Sequence, residues 1–300
     1  VLFRSVDGKP VTEILFDKIN RIREYREVKV DTPLFNNDGT AIYLGDSSNG
    51  SWLVDTLDGR QRRLFGVGGG MPKAVFLTGK SLVVMDNASA NRVDWDNATL
   101  TAIPNLSGSA LGGAGDWLVG QSEPFGRFVQ LIDVKTNKVA RQFEVLQGIH
   151  QVSLSPDAKW IVMKGQSGLR LYDAKTGALG WDHDHNFDMH TSRSMIKWTP
   201  DGSRGAAAGN QYVYVWSMSP KRWFARFPHG RTGYQPDVAL SADGKRMVAS
   251  GGSSDKLAYW SDIDAAMKTS PVVTEMRTPP LLKRPPELTA EQKKQIAEEK

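Results

Sequence analysis

The sequence has no cysteine. That excludes a disulfide framework, a cysteine-ligated zinc or iron–sulfur centre, and a thiol nucleophile. It also lacks long apolar runs. Stretches such as Trp160-Ile161-Val162-Met163 end after a few residues, far short of the ~20 needed to span a bilayer as a helix, so no membrane span is expected. The chain begins at Val1 with no charged segment leading into an apolar core, so no signal peptide is read there, although a leader removed by processing fits the same start. Compartment therefore stays open, and a soluble protein is expected. Neither sign of charge dominates: 38 Lys and Arg against 33 Asp and Glu give a net charge of +5. Such a balance permits an acidic partner without requiring nucleic acid. Apolar residues make up 40% and charged residues 24%, the proportions of a globular domain.

What the sequence does have is a repeat. A turn of the form Ser/Thr-Pro/Ala-Asp-Gly separates two β-rich runs at Asn37-Asp38-Gly39, Ser155-Pro156-Asp157, Thr199-Pro200-Asp201-Gly202 and Ser241-Ala242-Asp243-Gly244. Asp157, Asp201 and Asp243 are 44 and 42 residues apart. Weaker copies stand at Thr78-Gly79-Lys80 and Gly115-Asp116. After each turn comes a second strand such as WIVMKG (160–165). Next comes a strand ending in an aromatic, such as LRLYD (169–173), YVYVW (212–216) or LAYW (257–260), and then a turn such as Lys175-Thr176-Gly177 and a fourth strand. Four short antiparallel strands every ~40–45 residues is the period of a propeller blade. One such sheet cannot bury both faces alone, and stacking blades radially buries them. The fold class expected is all-β. It is a propeller of four-stranded antiparallel blades, six to seven of them visible and seven favoured, with residues 1–12 joining the last blade to close the ring.

The three units between residue 150 and about 262 resemble WD40 repeats, or the broader YVTN and quinoprotein-like propellers. In the last unit His229 stands where that family's Gly-His dipeptide places a histidine. Ser250, Asp255 and Trp260 match the rest of its Ser/His/Asp/Trp network, with the Asp255 to Trp260 spacing one residue shorter than usual. His150 and His190 occupy similar places before their blades. The resemblance implies structural roles for these residues and for Asp157, Asp201 and Asp243.

Three regions follow from this reading. Residues 1–30 are an N-terminal segment holding the closing strand, with residues 13–27 fitting either a short amphipathic helix or an irregular strand. Residues 31–268 are the propeller. Residues 269–300 are a Pro-rich linker, through Pro279, Pro280, Pro285 and Pro286, leading to a charged helix capped by Thr289 and Gln292.

The densest chemistry lies at Trp181–His190. Asp182, Asp184, Asn186 and Asp188 alternate like oxygen ligands of a calcium loop, but Phe187 occupies the glycine position and Arg193 the place of the closing glutamate. His183 and His185, with His190, offer a zinc alternative, because imidazoles two apart share one side of an extended chain. The plain reading is a polar loop between blades without a cofactor. Phe65–Gly70 has the glycines of a phosphate loop, but Met71-Pro72-Lys73 supplies no following Gly-Lys-Ser/Thr. A partner surface is expected at Arg222, Trp223, Arg226 and Arg231, on a strand with Trp223, Ala225 and Phe227 inward and Arg222, Phe224 and Arg226 outward. The cation–aromatic mix also suits nucleic acid, the less favoured reading. No Ser/His/Asp triad can be chosen by spacing. The function expected is a non-enzymatic interaction scaffold within a larger protein assembly. A propeller enzyme or small-ligand or metal binder of the quinoprotein-like type is the alternative, and a nucleic-acid-associated propeller the second.

Overall fold

In a computed structural model, the structure describes residues 34–36, 38–45, 51–64, 73–85, 89–104, 106, 111–122, 128–144, 149–165, 168–184, 196–209, 212–218, 223–228, 237–250, 257–269 and 273–275. Nearly all of the regular structure is strand. The strands group into six antiparallel sheets, each an up-and-down meander, with one late strand added to the edge of the fifth. Blade one holds β1 (Leu34–Phe35), β2 (Ala41–Leu44), β3 (Ser51–Asp55) and β4 (Gln61–Leu64). Blade two holds β5 (Lys73–Phe76), β6 (Leu82–Met85), β7 (Ala90–Asp94) and β8 (Thr99–Ile103). Blade three holds β9 (Leu111–Ala114), β10 (Trp117–Gln121), β11 (Phe128–Asp133) and β12 (Lys138–Glu144). Blade four holds β13 (Ile149–Leu154), β14 (Trp160–Gly165), β15 (Gly168–Asp173) and β16 (Leu179–Asp184). Blade five holds β17 (Lys197–Trp198), β18 (Arg204–Ala208), β19 (Tyr212–Ser217) and β20 (Trp223–Pro228). Blade six holds β21 (Asp237–Leu240), β22 (Met247–Ser250) and β23 (Leu257–Trp260), followed by helix α1 (Ile263–Thr269) and β24 (Val273–Glu275).

The core is not one mass but a series of seams between neighbouring blades. Along β14 the side chains alternate. Ile161 and Met163 join the seam with blade three, and Val162 joins the seam with blade five. Both faces are buried, so the strand reads as an unbroken apolar run rather than as polar–apolar alternation. The same logic gives the seam of blades one and two, from Tyr43 and Leu53 to Trp95. Blades two and three meet through Leu77, Leu118 and Ile132, and blades five and six through Val213, Phe227, Met247 and Ile263 of α1. Burying one such side chain stabilises by ~1.5–3 kcal/mol relative to leaving it in water.

Six sheets stand among the described residues, within the six to seven expected. The sixth has three strands, because the chain leaves β23 for α1 and then adds β24 to the outer edge of blade five, where Trp223 faces Glu275 and Phe224 faces Thr274. Residues 1–12 lie outside the described residues, as do 13–27 and 276–300, which include the Pro-rich stretch and the charged helix. Phe224 is not outward. It is fully buried in the seam with blade four, while Ala225 and Phe227 fill the seam with blade six. An inward–outward alternation presumes one buried face, and an interior blade has two.

The innermost strands approach closely. A Cβ added to Gly112 in β9 would sit 2.7 Å from the Val152 carbonyl oxygen of β13. Gly112→Ala should therefore force the two blades apart and cost ~1–3 kcal/mol, the usual range for overpacking, read as a lower Tm in thermal unfolding by circular dichroism.

Candidate functional site: two unlike ends of the blades

In an antiparallel meander the first and third connections emerge at one end of the sheet, and the second connection and the passage to the next blade at the other. The two ends differ here. The first end carries compact turns. In blades four, five and six, Ser155, Thr199 and Ser241 donate hydroxyl hydrogen bonds to Asp157, Asp201 and Asp243. Each carboxylate in turn accepts the amide of Lys159, Ser203 or Lys245. Thr40 does the same for Asp38. These aspartates cap their turns.

A second aspartate series, missed in the sequence reading, closes the third turns of blades one to four. Asp55, Asp94, Asp133 and Asp173 each accept a backbone amide two or three residues on. The residue after each turn, Gly59, Ala98, Asn137 or Gly177, has positive φ, the left-handed geometry that closes a type I turn into the next strand. Their spacing of 39, 39 and 40 residues was the available signal.

Cations stitch this end across the seams. Lys80 of blade two bonds Asp55 of blade one. Arg92 of blade two donates to the Val134 carbonyl and to Asn137 of blade three at 3.2 Å. Arg141 of blade three donates to the Thr176 carbonyl of blade four at 3.1 Å. Arg204 of blade five donates to the Gly244 carbonyl at 2.8 Å and grips Asp264 of α1 at 2.7 and 3.0 Å. The basic patch at Arg60, Arg62 and Arg63 is likewise engaged: Arg60 pairs with Asp58 at 3.1 Å, Arg62 reaches Asp96 of blade two at 4.0 Å, and Arg63 lies over Trp52.

The other end carries connections of uneven length. Residues 166–167 join β14 to β15, whereas 185–196 join β16 to β17 and 229–236 join β20 to β21. Beneath them lies a layer of buried polar side chains. The Tyr43 and Ser51 hydroxyls are 2.7 Å apart. Asn91 donates to Ser89, Gln121 is buried, and the Lys164 ammonium donates across the seam to the Ala208 carbonyl at 3.3 Å. Lys164 is fully buried, and its place in WIVMKG gave no hint of that.

The expected site residues divide between these ends. His150 sits in β13 where the register with β14 shifts, and Ser250 ends β22 opposite Leu257. Trp260 packs on Phe227 with ring centres 5.8 Å apart. His190, His229 and Asp255 lie outside the described residues. Of the alternating acids, Asp182 pairs with Arg170 at 3.2 Å, and His183 and Asp184 continue β16 opposite Leu169 and Gly168. His185, Asn186 and Asp188 lie outside the described residues, among which no group of three metal-ligating side chains converges. Trp223 is half-buried under the Arg204 guanidinium, 5.4 Å from its ring centre, and Arg226 lies 4.8 Å over Tyr212. Arg222, Arg231 and the Phe65–Gly70 loop are outside the described residues. No helix among those residues is long and apolar enough to cross a membrane.

No family model matches the chain, and no curated protein matches it in sequence. In fold it is similar to a chain of Kuenenia stuttgartiensis hydrazine synthase, with a TM-score of 0.62 at 15% identity over 84% of this chain and 83% of that one. At that identity the likeness carries the propeller architecture alone.

The capped turns generate a pH prediction. The Thr199 hydroxyl holds the Asp201 carboxyl below the ordinary 3.8. The Ser241 and Thr40 hydroxyls do the same for Asp243 and Asp38, and Lys80 does so for Asp55. Burial pushes Asp157 up, but bonds from Ser155 and Lys159 outweigh it, leaving that carboxyl lowered too. A folded-state value below the unfolded one stabilises the fold fully above 3.8 and is lost as pH falls through the folded value. Tm should hold down to about pH 4 and fall steeply below it, less steeply in Asp201→Asn. Separately, Arg204→Ala should cost ~1–3 kcal/mol by stranding the carbonyl of buried Gly244, more than Asp264→Ala, whose carboxylate is 45% exposed. Denaturant titration of both variants checks the order.

Proposed function

We propose that this protein is a non-enzymatic propeller scaffold of the WD40- or YVTN-like kind, binding a protein partner within a larger assembly through the uneven loop end of its blades. The observation that carries this reading is the asymmetry of the two ends. One is uniform, capped and committed to holding neighbouring blades together. The other varies from blade to blade on an otherwise repeated frame, and connections positioned by a rigid scaffold are where binding specificity resides. The buried polar layer of Ser51, Asn91, Gln121 and Lys164 fixes the strand ends from which those connections spring. Arg231 falls in the 229–236 connection and belongs to this surface, beside the long 185–196 connection, and Arg226 supports it from β20. Trp223 begins β20 at the opposite end, that of the compact turns, and Arg222 precedes it in sequence.

A second reading places a metal or small ligand at the same end, through Asp182, Asp184, Asn186, Asp188, His183 and His185. Fold similarity to a protein named for an enzymatic activity is compatible with it. Elemental analysis separates the two: stoichiometric calcium or zinc, lost in Asp184→Asn with His185→Ala, would favour the ligand reading.

The scaffold reading is tested by native mass spectrometry of the protein purified with its partners from its own source. Replacing residues 186–194 with a Gly/Ser segment of equal length, which keeps Ile196 in its seam, should abolish co-purification, whereas Asp58→Ala with Arg60→Ala at the turn end should leave it intact. A strict monomer, or loss of the partner in the turn variant alone, would overturn the proposal.

A further inference from the structure

The seam between blades one and two departs, at its turn end, from a pattern set elsewhere. On the fourth strand of blade three, Arg141 stands opposite Leu131 and crosses to the Thr176 carbonyl of blade four at 3.1 Å. Leu131 precedes the turn aspartate Asp133 by two residues. On the fourth strand of blade one, Arg62 holds the equivalent place, opposite Leu53, which precedes Asp55 by two. Leu53 faces blade two, so Arg62 does as well. Its Nη2 lies 4.0 Å from the Asp96 carboxylate of blade two, beyond hydrogen-bond length. Its Nη1 is buried and has no hydrogen-bond partner among the described residues.

The turn that Arg62 faces is built differently. The residue after the turn aspartate is Val134 in blade three and Ala174 in blade four, but Trp95 in blade two. The indole packs against Phe76 with ring centres 5.8 Å apart and is 6% exposed. Its Nε1, which can only donate, also lacks a partner among the described residues. Burying a donor without an acceptor is costly, and native folds leave few of them. The nearby acids do not meet these two donors. Asp55 is taken by Lys80, which also lies 6.0 Å from the centre of the Trp95 ring, and Asp96 is 89% exposed. The next seam is different. There Arg92 Nε and Gln130 Oε1 are both unpaired among the described residues, a donor and an acceptor, which a bridging water suits.

We infer that Arg62 and Trp95 form a carboxylate-binding site at the turn end of this seam. The guanidinium supplies the charge and the indole N–H a directed bond to one oxygen. Two donors above the apolar walls of Leu53, Leu64 and Phe76 match a carboxylate on an apolar stem. A phosphate brings at least three strong acceptor oxygens and would leave some of them bare. The site lies at the opposite end of the blades from the variable loops and is independent of the scaffold reading.

The test follows the indole N–H signals of the nine tryptophans in a proton–nitrogen correlation spectrum of the full chain, with Trp95→Phe identifying the Trp95 signal. Sodium acetate, titrated at constant ionic strength, should move that signal downfield to saturation while the others hold still. In Arg62→Gln, whose unchanged remaining indole signals report an intact fold, the dissociation constant should rise about tenfold or more, the loss of one charge-assisted bond. A blocked Gly-Glu-Gly peptide is run beside acetate. Tighter binding of the peptide assigns the site to an acidic side chain of a partner, and equal or weaker binding to a free organic acid. No saturable shift in the wild-type chain with either probe would overturn the inference. So would an unchanged dissociation constant in Arg62→Gln, or inorganic phosphate binding more tightly than both carboxylates.

Discussion

Everything in this molecule depends on a seam that no blade can make alone. A twisted sheet of four short strands has two apolar faces and too little thickness to hide either, so each blade borrows its neighbour's surface. That requirement explains the strand composition, with Ile161 and Met163 serving one seam and Val162 another. It explains the glycine at position 112, where two inner strands come too close for a Cβ. It also explains why Arg92, Arg141 and Arg204 each cross to the next blade: a guanidinium bonded to a turn carbonyl pins the seam at its open end, where apolar packing runs out.

The two ends of the blades are built differently. The capped turns are spent on structure, their carboxylates saturated by hydroxyls and amides a few residues away. The opposite end ties the seams from within, as where Lys164 donates to the Ala208 carbonyl. Its connections differ in length from one blade to the next, so they can differ in shape without disturbing the seams below.

The later blades were legible in the sequence because Ser155, Thr199 and Ser241 precede their aspartates by two residues and build the same turn each time. Blades two and three were faint for the same reason, since Gly79 and Gly115 hold those turns by backbone geometry without a capping carboxylate. The other series, Asp55 to Asp173, is fainter because Leu53, Arg92, Leu131 and Leu171 stand where the later turns have a hydroxyl, so spacing is its only signal. Phe224 was misplaced because alternation marks a sheet with one wet face, and blade five has none. β24 was invisible because three residues near a proline carry no periodic signal, and its pairing with β20 is decided by an edge far away in sequence. The candidate binding surface was legible only as composition. The loops announce their length in the sequence but not their shape, and the burial of Lys164 depends on a carbonyl 44 residues away.

The pairing of β24 with β20 also protects the rim of blade five. Glu275 lies opposite Trp223, at the end of β20 nearest the compact turns, so a single late strand turns the outer edge of blade five from an open edge into a covered one, and the hydrogen-bonding groups of β20 that would otherwise face water are satisfied within the same chain.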